Sequence, residues 1–111
     1  MSLPTEMRVV HIASPGGPEQ LQLSTRPTPK PGDGEVLVRV EAAGVNRPDV
    51  MQRQGRYPPP PGASDLPGME IAGEIVALGP NVSGLSVGDK ITSLLPGANM
   101  RQMQFGLHFR F

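Results

Sequence analysis

The chain has 111 residues, 14 glycines, 14 prolines, a formal net charge of zero and no cysteine. This length predicts one domain with a single modest core. The lack of cysteine excludes disulfides, thiolate nucleophiles and cysteine-ligated zinc, and the balanced charge argues against nucleic acid or an acidic membrane as a partner.

The first third of the chain predicts two strands separated by turn residues. Residues 7–12 (MRVVHI) are rich in β-branched side chains and end at a turn cluster, SPGGP, so we expect a short strand. Residues 19–26 alternate apolar and polar positions at Leu21 and Leu23, which predicts a half-exposed second strand. Three prolines in residues 27–34 remove backbone donors, so that segment is expected to be a connector or an edge.

The middle of the chain changes from strand to helix periodicity. Residues 35–45 place three valines at alternate positions from residue 36 and give the clearest strand pattern in the sequence. Residues 46–55 then predict one or two helical turns. Pro48 and Asp49 suit the first turn of a helix, and Gly55 suits its end.

Two further strands are predicted after the proline-rich segment. Residues 69–79 form a strand pattern interrupted by Gly73, and a glycine inside a strand often marks a bulge or the close approach of another backbone. Residues 88–97 supply the next strand after a hairpin-like turn. About six short strands with turns every 8–12 residues are typical of a β-barrel or sandwich.

Four stretches in this order resemble one family: GDGEVLVRVEAAGVNRPDVMQRQGRYPPPPG, LPGMEIAGEIVALGPNV, SGLSVGDKI and SLLPG. Together they are similar to the N-terminal GroES-like domain of medium-chain dehydrogenases/reductases, in the zinc-free NADPH:quinone oxidoreductase branch. The resemblance implies a mainly β fold with one short helix, a GroES-like, partly open β-barrel that is incomplete at its C-terminal end. We expect residues 1–97 to form this catalytic domain and residues 98–111 an atypical tail.

The resemblance also implies a cofactor and a mechanism without metal. A zinc-dependent relative would carry a cysteine at the position of Asn46 and a histidine at that of Met69, so no zinc is expected. NADPH is the implied cofactor of the full-length family member. The chain has no G-x-G-x-x-G loop, so the Rossmann NADPH domain is absent from it and we do not expect the chain to hold NADPH by itself.

Two residues are the candidate catalytic groups. The amide of Asn46 can donate to a quinone carbonyl oxygen that gains negative charge, and the same resemblance places it near the nicotinamide. An asparagine that caps the helix is the structural alternative. Tyr57, the only tyrosine, could stack on a flat quinone and donate to it, or could instead pack on the prolines that follow. The resemblance favours the functional role, because it implies a tyrosine near the acceptor at this place.

Other polar residues of the same segment have weaker functional assignments. Asp49 and Arg53 are candidate cofactor contacts together with Asn46. Capping of the helix is the alternative for Asp49, and a solvated helix face for Arg53 and Gln52. Glu70 enters an apolar strand, so we expect a structural ion pair for it beneath the site. Met51 and Met69 are expected to fill gaps in the core, because the unbranched methionine side chain adapts to irregular apolar spaces.

The sequence leaves three functions open. The first is the catalytic domain of a cytoplasmic NADPH:quinone oxidoreductase, inactive alone, acting on a quinone, with a possible dimer with family members and no nucleic acid or membrane partner. The second is a non-catalytic truncated fragment that acts through protein–protein binding. The third, a co-chaperonin-like ring subunit, is disfavoured because a shared fold does not carry function.

Overall fold

The computed structural model describes residues 3–59, 61 and 64–93, and the backbone of 94 and 107–110. Within these ranges each predicted strand has a counterpart, and the one α-helix found there lies where it was expected. The elements in chain order are β1 (Glu6–Ile12), a 3₁₀ helix (Pro18–Gln20), β2 (Leu21–Pro27), β3 (Glu35–Gly44), α1 (Arg47–Arg53), β4 (Glu70–Leu78), β5 (Lys90–Leu94) and β6 (Leu107–Arg110).

The strands form two antiparallel sheets. Strands β1 and β2 make a hairpin that pairs from Glu6 opposite Pro27 to Ile12 opposite Leu21. The second sheet has the order β5–β4–β3–β6. In the part of the chain that the structure describes, the two sheets stay separate and do not close, which confirms the mainly β, partly open architecture. No helix of that part is long and apolar enough to cross a membrane.

The core lies on the face of the four-stranded sheet that the valine pattern predicted. Val36 and Val38 of β3 are fully buried, and Val40 packs against them from the same side. Leu37, on the opposite side of β3, is also only 3% exposed, so this part of β3 is covered on both faces. The main cluster consists of Val36, Val38, Ile71 and Ile75, with Val40, Val82, Leu85 and Ile91 packed against it.

The predicted bulge or close approach at Gly73 is confirmed. Gly73 pairs with Val40, and the register of β3 against β4 shifts between Val40 and Ala42. A Cβ at Gly73 would overlap the carbonyl oxygen of Arg39 and lie 2.9 Å from Val38 Cγ1. The strands can approach this closely only because position 73 has no side chain.

Two details differ from the sequence prediction. The second strand starts at Leu21 because residues 18–20 form a 3₁₀ turn, which Pro18 favours at its first position. Strand β6 was not predicted. Its backbone pairs with residues 35–38 of β3. Residues 107–110 do alternate apolar and polar side chains, but a run of four residues is too short to indicate a strand by its pattern alone.

Candidate functional site

The site is built around the first turn of α1, immediately after β3. Asn46 is the N-cap of α1 and has an extended backbone, and Pro48 occupies the first turn, as the sequence predicted. The carboxylate of Asp49 accepts a hydrogen bond from the backbone N–H of Asn46 at 2.9 Å. The N–H of Asp49 donates to the carbonyl of Asn46 at 3.0 Å. Asp49 therefore caps the helix, and the structural alternative for this residue is confirmed.

The side chain of Asn46 is held by a residue from another strand. Its Nδ2 donates to Oε1 of Glu70, at the start of β4, over 3.0 Å. Gly44 lies directly opposite Glu70 in the sheet, and a Cβ at Gly44 would overlap the Glu70 carboxyl group. Among the described residues the partner of Glu70 is thus an amide, and the predicted ion pair is wrong because Asn46 occupies that position. We call Gly44, Asn46, Asp49 and Glu70 the helix corner.

A cleft of about 460 Å³ lies on one side of the helix corner, between the β1–β2 hairpin, β3 and α1. Its volume is in the range of small-molecule sites. Its walls are mostly apolar, and four charged residues lie among them. The lining residues are Arg8, Val10, Leu21, Val40, Glu41, Ala42, Ala43, Val45, Asp49, Val50, Arg53, Pro67 and Gly68.

A second cavity, of about 350 Å³, lies on the other side of the corner. Its polar lining groups are the carboxylate of Glu70 and the hydroxyls of Thr92 and Ser93. Ala42 and Ala43 line both cavities, so the end of β3 separates them. Asn46 lies in sequence between the part of β3 that lines both cavities and Asp49, which lines the first. Asn46 itself lines neither cavity. Within the helix corner, Asp49 lines the first cavity, and Gly44 and Glu70 line the second.

Arg53 and Gln52 are less solvated than expected. Arg53 lines the first cleft, and its Nε donates to the carbonyl of Gly16 at 3.0 Å. Gln52 is only 6% exposed, and its Nε2 donates to the carbonyl of Asp65 at 2.9 Å. The solvated helix face is wrong for Gln52, because the segment that leads into β4 folds over this side of α1.

The segment that leads into β4 is also held by contacts of Asp65 and Leu66. Arg26 of β2 donates to both carboxylate oxygens of Asp65, at 2.6 and 3.0 Å. These hydrogen bonds lower the pKa of the Asp65 carboxyl below its usual range. The adjacent Leu66 is 1% exposed. Together these contacts hold the walls of the first cleft, Pro67 and Gly68, against the hairpin and α1.

The remaining candidates are placed as follows. Tyr57 follows α1, is half-buried and does not belong to the described lining of either cavity, so its catalytic assignment stays a prediction. Met69 is buried, as a core role requires, while Met51 is half-buried. His108 and the side chains of the tail lie outside the described residues. Within the described ranges, no three histidine or acidic side chains are grouped so that they could hold a metal ion.

Sequence reasoning missed the contribution of Gly44 and the true partner of Glu70. The contacts of Glu70 with Gly44 and Asn46 depend on the register between β3 and β4, and Asn46 and Glu70 are 24 positions apart in the sequence. The only local signal is a glycine at the end of a strand, two residues before a polar helix cap. Such a glycine indicates a close contact but does not identify the neighbour.

Comparisons with known proteins agree with this architecture. Residues 32–106 match the alcohol dehydrogenase GroES-like domain family. The chain is 42% identical over 90 residues to the mouse synaptic vesicle membrane protein VAT-1 homolog-like, a match that covers 81% of this chain and 22% of that protein. It is 41% identical over 86 residues to the human quinone oxidoreductase, covering 77% of this chain and 26% of that protein.

Among solved structures, the human synaptic vesicle membrane protein VAT-1 homolog-like protein superimposes with a TM-score of 0.79 and 37% identity. This superposition covers 94% of the chain and 33% of that structure. The chain thus spans about a quarter of the length of the curated relatives it matches.

Proposed function

Because the chain belongs to the alcohol dehydrogenase GroES-like domain family of the medium-chain dehydrogenases/reductases, we propose that it is the N-terminal catalytic domain of a cytoplasmic NADPH:quinone oxidoreductase. Residues 1–97 form this domain, and it is inactive without a nucleotide-binding domain. The acceptor is a quinone or a similar electron-poor carbonyl compound. The observation that carries the proposal is the helix corner, where the Asn46 amide is held by Glu70, which lines the second cavity, three residues before Asp49, which lines the first.

The described residues of the chain offer space for the flat nicotinamide ring of NADPH but no site for its phosphates. The first cleft, with apolar walls and Asp49 and Arg53 among its lining residues, has room for a flat ring. The dinucleotide phosphates have no comparable site in the described residues. The first turn of α1, which could otherwise receive an anion, is already capped by the carboxylate of Asp49. A nucleotide domain outside these residues therefore has to bind the phosphates.

NADPH, when bound, supplies the hydride that reduces the acceptor. The reaction adds this hydride to the conjugated ring of the quinone, and negative charge accumulates on the carbonyl oxygen until a proton from water neutralises it. In this proposal the amide N–H of Asn46 donates to that oxygen and stabilises the charge. The apolar walls of the first cleft exclude water, and Tyr57 stacks on the acceptor.

A domain exchange tests this proposal. The segment of the human quinone oxidoreductase that matches this chain is replaced by residues 7–97, and quinone-dependent NADPH oxidation is measured. We expect activity in the chimera, and a loss of about 10- to 100-fold on Asn46→Ala. We expect neither saturable NADPH fluorescence nor turnover with the 111-residue chain alone.

Two results would contradict the proposal. Turnover by the chain alone would show that it does not depend on a nucleotide domain. A folded, NADPH-binding chimera without quinone reduction would favour the alternative, a non-catalytic fragment that acts through protein–protein binding.

A further inference from the structure

The carboxylate of Glu70 fixes the orientation of the Asn46 side-chain amide. Glu70 is half-buried at the start of β4, and its Oε1 accepts from Asn46 Nδ2 at 3.0 Å. An ionised carboxylate only accepts hydrogen bonds, so it selects the nitrogen of the Asn46 amide and disfavours the flipped orientation, in which two oxygens would face each other. The hydrogen bond therefore fixes which end of the amide lies against β4.

The backbone of Asn46 is fixed independently of its side chain. Asp49 accepts the Asn46 N–H and donates its own N–H to the Asn46 carbonyl. The α1 cap thus holds the main chain of Asn46 while β4 holds its amide. An amide nitrogen carries two hydrogens, and Glu70 takes one of them. Among the described residues, Glu70 is the side chain that accepts from this nitrogen, so its second N–H can serve a ligand.

The absent side chain of Gly44 makes this arrangement possible. Gly44 is the cross-strand neighbour of Glu70, and an added Cβ would overlap the carboxyl group and lie 3.2 Å from Glu70 Cγ. Gly44 does not have a positive φ, so alanine fits its backbone conformation. The three atoms nearest to such an alanine Cβ all belong to the Glu70 side chain. A methyl group at position 44 would therefore move the carboxylate and leave the backbone in place.

We propose that Glu70 is a positioning residue that orients the Asn46 amide toward a carbonyl oxygen of the acceptor, and that Gly44 is required for it. The assignment of the free N–H to an acceptor carbonyl rests on the proposed function. The orientation of the amide by Glu70 does not, because it is a property of the chain without ligand.

The orientation is tested on the 111-residue chain by nuclear magnetic resonance of the Asn46 side-chain amide, assigned through Asn46→Ala. In the wild type we expect one of the two amide protons to be displaced downfield by its hydrogen bond to the carboxylate. We expect Gly44→Ala and Glu70→Ala to abolish this displacement, and Glu70→Gln, which keeps the shape but not the charge, to reduce it. In the double variant Gly44→Ala/Glu70→Ala the Asn46 amide resonances should be the same as in Glu70→Ala, because the carboxyl group that the new methyl would displace is already absent.

Glu74→Gln is the matched control. Glu74 lies four residues further along β4 and pairs with Lys90 and Arg39, so this substitution should leave the Asn46 amide unchanged. An Asn46 amide whose resonances are the same in Gly44→Ala, Glu70→Gln and the wild type would overturn the proposal.

Ligand binding distinguishes the positioning role of Glu70 from the proposed quinone oxidoreductase function. Tetramethyl-1,4-benzoquinone, which has no free ring position for addition of lysine, is titrated into each variant. We expect its Kd to rise about three- to tenfold in Gly44→Ala and Glu70→Ala, and to be unchanged in Glu74→Gln. Wild-type affinity in Gly44→Ala, despite a lost amide displacement, would overturn the positioning role. Absence of quinone binding in the wild type with the amide displacement intact would support the orientation and contradict the proposed function.

Discussion

Substitution of Gly73 by alanine tests the packing that places the helix corner. The new Cβ would overlap the carbonyl oxygen of Arg39 and lie 2.9 Å from Val38 Cγ1 and 3.0 Å from the Arg39 carbonyl carbon. Ordinary carbon contacts are about 3.5–4.0 Å, so β3 and β4 would have to separate by about 1 Å. Overpacking of this kind costs about 2–3 kcal/mol of unfolding free energy. In a domain of this size we expect the Tm to fall by about 10–20 °C.

Thermal and urea unfolding followed by circular dichroism measure this effect. Gly16→Ala is the control, because the three atoms nearest to its Cβ would all belong to the flexible side chain of Gln20, the closest at 3.1 Å, and neither glycine has a positive φ. We expect the control to change the unfolding free energy by less than about 1 kcal/mol. A Gly73→Ala protein within about 0.5 kcal/mol of the wild type would refute the close approach of β3 and β4 at this position.

Three further substitutions test the supports of the site. Leu66→Ala should lower the unfolding free energy by about 2–4 kcal/mol in urea titration, because Leu66 is 1% exposed and its removal leaves a cavity; Leu66→Met should cost much less. Asp49→Ala should cost about 0.5–2 kcal/mol through loss of the α1 cap, with part of the loss recovered in Asp49→Asn. Arg26 lowers the pKa of Asp65 in the folded state, so the contribution of this pair is present above about pH 4 and is lost as the pH falls below that value. In Arg26→Gln the unfolding free energy should therefore fall less steeply between about pH 4 and pH 2. High salt should also make this fall less steep in the wild type, because salt screens the pair and Asp65 is 67% exposed.

Local chemistry explains which parts of the fold could be predicted. Alternating valines identify β3 because a strand with one buried face needs a period of two, and Gly55, with a φ of 81°, ends α1 as only glycine readily does. These signals lie within ten residues of the structure they specify. The same holds for Pro48 and Asp49 in the first turn of α1.

The contacts of the candidate site depend on partners that are distant in the sequence. The hydrogen bond between Asn46 and Glu70 requires the particular register of β3 against β4, and a two-residue shift would put another side chain opposite Gly44. Gln52 was expected to face water because its local helical position is polar, but the carbonyl of Asp65 reaches it from 13 positions away. A single sequence predicts such elements well and their mutual contacts poorly.

The most direct test of the account is whether a quinone binds at the helix corner of the 111-residue chain. Tetramethyl-1,4-benzoquinone is titrated while backbone and side-chain amide resonances are recorded for the wild type and Asn46→Ala. The account predicts saturable shifts centred on the Asn46 side-chain amide and the residues that line the two cavities, with a weaker Kd in Asn46→Ala. No saturable shift, or equal binding in Asn46→Ala, would contradict it.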